Sequence, residues 1–311
     1  MRDALRLSRA MTLKAAAADL GLGGGKGVIM APADGPLSSK RRHAALLDFA
    51  DTVQALEGRY ITAEDVGTSS RDMSVIAGRT SHVAGLARSR GGSGDPSPLT
   101  ARGVEVAIVA ACQRVFSDPD LGRRTIAVIG LGHVGSRVAT RCARAGASLI
   151  VADLDTAKAR LAEQLGARWC SPQEALEAEV DVLVPCALGG LLDYESVPRL
   201  RCRVVAGAAN NQLAEDGVAD LLARQEILWV PDFVVNAGGL INIAEEVGGY
   251  DAATARRRVE SIGDTLREIF AHAEREGVTP LAAALDLARR RLAAARTRSQ
   301  TPAPRPWITA G

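Results

Sequence analysis

Two glycine-rich stretches carry the residue types that could do chemistry. The first, "LGLGGGKGVIMAP" (20–32), sets Lys26 among glycines. It has the composition of a phosphate loop but not the pattern. A G-x-x-x-x-G-K-[ST] motif needs glycine where Leu20 stands, and a hydroxyl residue for magnesium where Gly27 stands. A lysine on so much glycine suits a small substrate that must come against the backbone. A second lysine, Lys14, lies just upstream. Two lysines close together depress each other's basicity, and burial does the same. One can then act as a base while the other remains a cation for a carboxylate.

The second stretch is Gly130-Leu131-Gly132-His133-Val134-Gly135, a G-x-G-x-x-G. It follows the apolar run "TIAVI" and opens a helical pattern, the context in which the motif binds a dinucleotide. Gly130 permits the tight turn, Gly132 lets the backbone approach a pyrophosphate, and Gly135 lets the helix pack on the sheet. The phosphates would sit on the helix N-terminus, where free N–H groups favour anions. Asp153 ends the next strand, "SLIVAD". Its carboxylate can hold ribose hydroxyls and repel a 2′-phosphate, and Leu154 beside it is not the basic or small polar residue of an NADP site. The cofactor read from the residues is NAD.

At 311 residues and 47% apolar composition, the chain has room for two domains. A net charge of +2 offers no electrostatic case for nucleic acid or an anionic membrane. Aromatics at 3% leave few stacking platforms for bases. Cys112, Cys142, Cys170, Cys186 and Cys202 are odd in number and form no CxxC pair, so neither a disulfide framework nor a metal site is expected. Free thiols and the lack of an apolar signal core point to the cytoplasm, and no run is long enough to span a bilayer.

The spacing predicts a helix over 2–20, a strand at "GVIM" (27–30), a helix over 38–57 and a strand within "RYITAEDVGT" (59–68). "RGGSGDPSP" (90–98) is the densest punctuation and reads as a hinge. Beyond it, strands alternate with helices, as in a parallel sheet covered on both faces. These strands are "TIAVI", "SLIVADLD", "DVLVPCAL", "RVVAGAANN" and "ILWVPDFVVNAGG". Helices are expected over 99–116, 156–165 and 213–224, and one long helix over 254–277 stopped by Gly277. The proline-rich end reads as a loose tail. The expected fold is α/β, a Rossmann NAD-binding domain (91–280) beside a smaller α/β substrate domain (1–90). Residues 281–311 return to the substrate domain, and the active-site cleft lies between the domains.

"MTLKAAAADLGLGGGKGVI", "RYITAEDVGTSSRDM", "GDPSPLTARGV", "GLGHVGSRVA", "PCALGG", "GAANNQL" and "PDFVVNAGGLINIAEE" together resemble the glutamate/leucine/phenylalanine/valine dehydrogenase family, most of all its leucine, valine and phenylalanine branch. The resemblance runs in order over almost the whole chain. It implies reversible NAD-dependent oxidative deamination of an aliphatic or hydrophobic L-amino acid to the 2-oxo acid and ammonium. It implies that Lys14 binds the substrate carboxylate, that Lys26 activates water, and that Asp65 shuttles protons at the substrate nitrogen. Outside the motif, Asp65 would read as an ordinary loop carboxylate. By the same resemblance Thr100 and Asn236 meet the nicotinamide carboxamide, and Ala187, Ala209 and Asn210 line the cofactor cleft. Asn211 contacts substrate, while Ala63, Leu240 and Ile243 face its side chain. Leu240 and Ile243 are bulkier than the valines common in leucine-type members, which hints at a modest side chain such as valine. No cation is offered to a side-chain carboxylate, which argues against glutamate. A homo-oligomer is expected.

The family also carries a longer N-terminal segment with a pocket-lining glycine pair, and Ala84 stands where many members have threonine. The expectation is either a clipped sequence start or a shortened protein. A catalytically silent NAD-binding partner protein is therefore the alternative reading, and an oxidoreductase acting on another small acid a third.

Overall fold

The computed structural model describes residues 2–30, 35 and 37–299. Its centre is a six-stranded parallel sheet in the order β3-β2-β1-β4-β5-β6. The strands are β1 (Thr125–Ile129), β2 (Ser148–Ala152), β3 (Arg168–Trp169), β4 (Val182–Pro185), β5 (Val204–Val205) and β6 (Leu228–Trp229). The order reverses between β1 and β4, the switch point at which doubly wound sheets hold their ligands. Ile126 and Val128 of β1 face one buried layer, while Ala127 and Ile129 face the other. Both faces are thus covered, which is why β1, β2 and β4 read as apolar runs instead of alternating.

Helices fill the connections and flanks. They are α1 (Arg2–Ala17), α2 (Ser39–Ala55), α3 (Ser70–Ile76), α4 (Ser97–Phe116), α5 (Gly135–Arg144), α6 (Ala159–Leu165), α7 (Pro172–Leu176), α8 (Val218–Arg224), α9 (Asp232–Val235), α10 (Gly238–Ala244), α11 (Ala252–Glu260), α12 (Ile262–Glu276) and α13 (Pro280–Ser299). Helix α13 packs on α1 and α12. Arg291 Nη1 closes the first of these contacts by donating to the Ala17 carbonyl at 2.6 Å. The proline-rich tail lies outside the described residues.

Four expectations from the pattern differ. "GVIM" forms no strand. Val28, Ile29 and Met30 are 55, 41 and 85% exposed, and no neighbouring strand among the described residues gives them a ladder. "RYITAEDVGT" contributes only one bridge, Thr62 to Val83. In "ILWVPDFVVNAGG" the sheet stops after Trp229. The last ladder bond is Val230 N–H to Val205 O at 2.9 Å; Pro231 has no N–H to continue it, and α9 begins instead. The helix expected over 254–277 breaks at Ser261, whose hydroxyl donates to Arg258 O at 2.8 Å and competes with the helical ladder. Gly277 does stop α12, in the left-handed conformation at φ 63°.

Candidate active site

The loop "LGLGGGKG" lies along α1. Ser8 Oγ donates to Gly24 O at 2.8 Å, and Tyr60 Oη accepts from Gly27 N–H at 2.9 Å. The glycines are there for the protein's own packing. A Cβ on Gly24 would stand 2.1 Å from Thr12 N, one on Gly25 2.5 Å from the Tyr60 ring, and one on Gly27 2.5 Å from Phe49. Glycine at these positions thus has a packing reason of its own, beside the expectation that it lets substrate come against the backbone. It brings the loop close enough to α1 to set Lys26 beside Lys14. Only Gly21 and Gly23 have open space where a Cβ would go.

Lys26 forms an ion pair with Asp65, whose Oδ1 also accepts from Val66 N–H at 2.7 Å. Burial holds the Lys26 amine below the ordinary lysine range. Lys14 is depressed further, to about 8. Burial is the main cause; buried Asp232 pulls the value back up, and the charge of Lys26 pushes it down. The two lysines therefore share one electrostatic environment, as the sequence suggested.

Lys14 Nζ donates to Asn210 Oδ1 at 3.2 Å. The same oxygen accepts from Asn236 Nδ2 at 2.8 Å, and that amide also donates to Ala208 O at 3.1 Å. Asn236 Oδ1 is buried with no partner. A buried acceptor left open costs free energy unless a donor arrives. A carboxamide N–H is a donor of the right kind, so the residue fits the role the resemblance gives it. Thr100, on α4, abuts the start of α10: a Cβ on Gly239 would lie 2.6 Å from Thr100 Oγ1.

The glycine turn after β1 has the geometry a dinucleotide needs. Gly130 is at φ 96°, and a Cβ there would sit 2.8 Å from Ala187. A Cβ on Gly135 would lie 1.8 Å from Gly130 O, whereas Gly132 faces open space. Leu131 is buried, and His133 is exposed at the mouth, with Val134 preceding α5. Asp153 Oδ2 accepts from Leu131 N–H at 2.5 Å and holds the end of β2 against the turn, while Leu154 is 87% exposed.

Leu240 and Ile243 lie three residues apart on α10 and are half-buried. Ala63 is beside Gly85, whose N–H donates to the Glu246 carboxylate at 3.0 Å, just past α10. Glu246 also accepts from Ser93 N–H at 2.7 Å. One carboxylate thus ties the Ala63 neighbourhood, the stretch before α4 and the end of α10 together.

Three residues outside the expected set organise the site. Gln212 is fully buried; its Nε2 donates to Gly207 O and Ala209 O, and its Oε1 accepts from Trp229 Nε1. Asp232 accepts from Gln212 N–H at 2.9 Å. Burial raises its pKa, against the hydrogen bond from Gln212 and the charge of Lys14. Glu246 is the third. Nothing in the residue spacing marks Gln212. Asp232 was concealed by a run that reads as strand, and it is the acidic residue in the first turn of α9.

With this geometry in view, the comparisons with known proteins are specific. Residues 1–82 match the family model described as Glu/Leu/Phe/Val dehydrogenase, dimerisation domain. Residues 151–299 match Glutamate/Leucine/Phenylalanine/Valine dehydrogenase. Residues 107–188 match the NAD binding domain of D-isomer specific 2-hydroxyacid dehydrogenases. The chain is 42% identical over 293 residues to a leucine dehydrogenase of Thermoactinomyces intermedius, covering 94% of this chain and 79% of that one.

The chain belongs to the Glu/Leu/Phe/Val dehydrogenase family.

As a member it is an NAD-dependent amino acid dehydrogenase, an oxidoreductase acting on CH–NH2 donors. A valine dehydrogenase of Streptomyces albus is 41% identical over 95% of this chain and 81% of its own length. Among solved structures, L-tryptophan dehydrogenase from Nostoc punctiforme superposes with a TM-score of 0.84 at 37% identity, covering 95% of this chain and 84% of that chain. The hetero-hexameric glutamate dehydrogenase of Thermus thermophilus, in its Leu-bound form, gives 0.77 at 28% identity, covering 96% and 79%.

Proposed function

We propose the following division of labour for the oxidative deamination of a hydrophobic L-amino acid, the reaction the family relationship supports. Amino acid, NAD⁺ and water become 2-oxo acid, ammonium, NADH and a proton. NAD supplies the hydride acceptor. Lys14 holds the substrate carboxylate with its remaining N–H donors, and Asn211 contacts the same substrate. Asp65 takes a proton from the substrate nitrogen, so that the α-carbon can release hydride and leave an imine. Lys26, with its basicity lowered by burial, takes a proton from water as water adds to that imine. Asp65 then returns a proton to the departing amine. Leu240, Ile243 and Ala63 exclude water around the side chain and select for apolar substrates, of which a modest branched one such as valine fits best. Thr100 and Asn236 orient the carboxamide; Gly130, Leu131, Gly132, His133, Val134 and Gly135 form the phosphate turn. Asp153 and Leu154 flank the adenosine ribose, and Ala187, Ala209 and Asn210 line the rest of the cleft.

The observation that carries this reading is the Lys26–Asp65 ion pair lying within electrostatic reach of Lys14. A lysine of lowered basicity paired with a carboxylate, in one cleft beside a carboxylate-binding cation, is what the steps need. We place the substrate domain at 1–90 and the Rossmann domain at 91–280, with 281–311 returning to the former. We also assign the chain to a cytoplasmic homo-oligomer. A match to a dimerisation domain and the exposed Val28, Ile29 and Met30 support the oligomer. No helix among the described residues is long and apolar enough to cross a membrane.

The test is NADH formation across a panel of L-amino acids, run with the wild type and Lys26→Ala. Turnover with valine, leucine or isoleucine is expected, with little on glutamate. Lys26→Ala is expected to abolish turnover and leave NADH affinity nearly unchanged. A large loss of NADH binding in that variant would place Lys26 in the cofactor site and contradict the assignment.

A further inference from the structure

Asn210 sits where the substrate half and the cofactor half of the cleft meet. Its Oδ1 takes two hydrogen bonds, from Lys14 Nζ at 3.2 Å and from Asn236 Nδ2 at 2.8 Å. The orientation of both amides follows from Lys14. An ammonium can only donate, so the Asn210 atom facing it is the oxygen. The Asn236 atom facing that oxygen must then be the nitrogen, which the carbonyls of Ala208 and Ala209 also require. Asn236 Oδ1 is thereby turned away and left open.

The loop carrying Asn210 is held on several sides. Gln212 clamps it through Gly207 O and Ala209 O, and Asp232 fixes the Gln212 N–H. Gly190 N–H donates to Asn211 O at 2.7 Å, and Asn211 is in the left-handed region at φ 52°. The backbone under Asn210 is thereby held, while its side chain is exposed and is oriented by the two hydrogen bonds to its Oδ1, so what fixes one of those donors also fixes the side chain for the other.

We propose that Asn210 is a positioning residue that couples the two sites: a donor captured by Asn236 Oδ1 and a carboxylate captured by Lys14 stabilise each other through the shared Asn210 oxygen. This rests on the roles given above to Lys14 and Asn236. The physical basis is that a doubly donated amide oxygen fixes both donors at once. Whichever ligand binds first then orders the group that receives the second, and less ordering remains to be done. Such coupling is reciprocal: the factor by which NADH tightens 2-oxo acid binding equals the factor by which the 2-oxo acid tightens NADH binding.

The test is a fluorescence titration of NADH into the purified protein, with and without a saturating branched-chain 2-oxo acid such as 3-methyl-2-oxobutanoate. Ammonium is left out so that no turnover occurs. The ratio of the two dissociation constants is the coupling factor. We expect about fivefold or more for the wild type, within the usual range for linked sites. Asn210→Leu keeps the bulk and removes the acceptor, and should bring the factor to near 1 whatever it does to NADH affinity itself, because the factor is a ratio of two constants measured in the same variant. Asn210→Asp restores an acceptor to both donors and should recover coupling, even if the added charge weakens the 2-oxo acid itself. A factor near 1 in the wild type, an unchanged factor in Asn210→Leu, or no recovery in Asn210→Asp would each overturn the proposal. A wild type that turns over valine yet shows no coupling would overturn it and leave the catalytic assignment standing. Absence of turnover with every amino acid would count against that assignment instead.

Discussion

Gly24→Ala is the sharpest perturbation of the lysine loop. A Cβ at this position would stand 2.1 Å from Thr12 N, 2.4 Å from Ser8 O and 2.5 Å from Thr12 Oγ1. Two of these atoms belong to the backbone of α1, which is further held by α13 and by the Arg291 bond to Ala17. The helix cannot give way easily, so the loop must recede, and the Ser8 bond to Gly24 O must lengthen or break. Reaching ordinary contact needs a displacement of more than about 1 Å, and an error of about 1 Å in a catalytic group already costs on the order of 100-fold in rate. The overpacking itself should cost about 1–3 kcal/mol of stability. Expected, then, is a fall in kcat/KM of about two orders of magnitude, with the protein still folded. The assay is steady-state NADH formation from L-valine beside a thermal melt and an NADH titration. NADH affinity should hold within about twofold, since the bonds that hold this loop run to Ser8 and Tyr60 and not to the dinucleotide turn, and separate sites act additively. Gly23→Ala is the control: its Cβ would meet nothing within 4 Å, and near-wild-type activity is expected. Full activity in Gly24→Ala, or equal damage from Gly23→Ala, would refute the reasoning that packing on α1 places Lys26.

Two further predictions concern charge. Lys14 sits near a pKa of about 8, so its ammonium is present below that pH and lost above it. KM for a 2-oxo acid should be flat up to about pH 8 and then rise, approaching tenfold per pH unit; Lys14→Met should remove this break along with most of the affinity. In the window between about 8 and the ordinary lysine value of 10.5, the unfolded chain holds more protons on this residue than the folded one, so its contribution makes stability rise with pH there. For cofactor choice, Asp153→Ser removes the carboxylate that bonds Leu131 N–H and would face the ribose. A charge-assisted hydrogen bond is worth about 1.5–3 kcal/mol, so kcat/KM for NAD should fall by about tenfold or more while that for NADP rises. An unchanged NAD to NADP ratio would exclude Asp153 from cofactor selection.

The Rossmann half was legible because its signals are local. A G-x-G-x-x-G between "TIAVI" and a helix, with Asp153 closing the next strand, needs only adjacent residues to be read, and the sheet order places that turn at the switch point. The lysines were legible as types. Their shared environment was inferred from closeness in sequence and arises from the glycine loop folding back along α1. What stayed hidden depends on distant partners. The "GVIM" run has strand composition but nothing among the described residues to pair with. Pro231 ends a run that reads as continuous strand, and Val234 and Val235 pass into a helix. Gln212 clamps its loop through two backbone carbonyls, Glu246 reaches Gly85 and Ser93, and Asn210 joins Lys14 to Asn236. Links such as the last two, of about 150 residues or more along the chain, cannot be read from any window of it.

The central claim is that the Lys14, Lys26 and Asp65 group removes nitrogen from an amino acid in step with hydride transfer. Measuring NADH and ammonium together, from the purified protein with NAD⁺ and L-valine or L-leucine, tests it most directly. Both are expected to appear at the same rate in equal amounts. NADH formed without ammonium, or NADH bound with neither product formed from any amino acid, would contradict it.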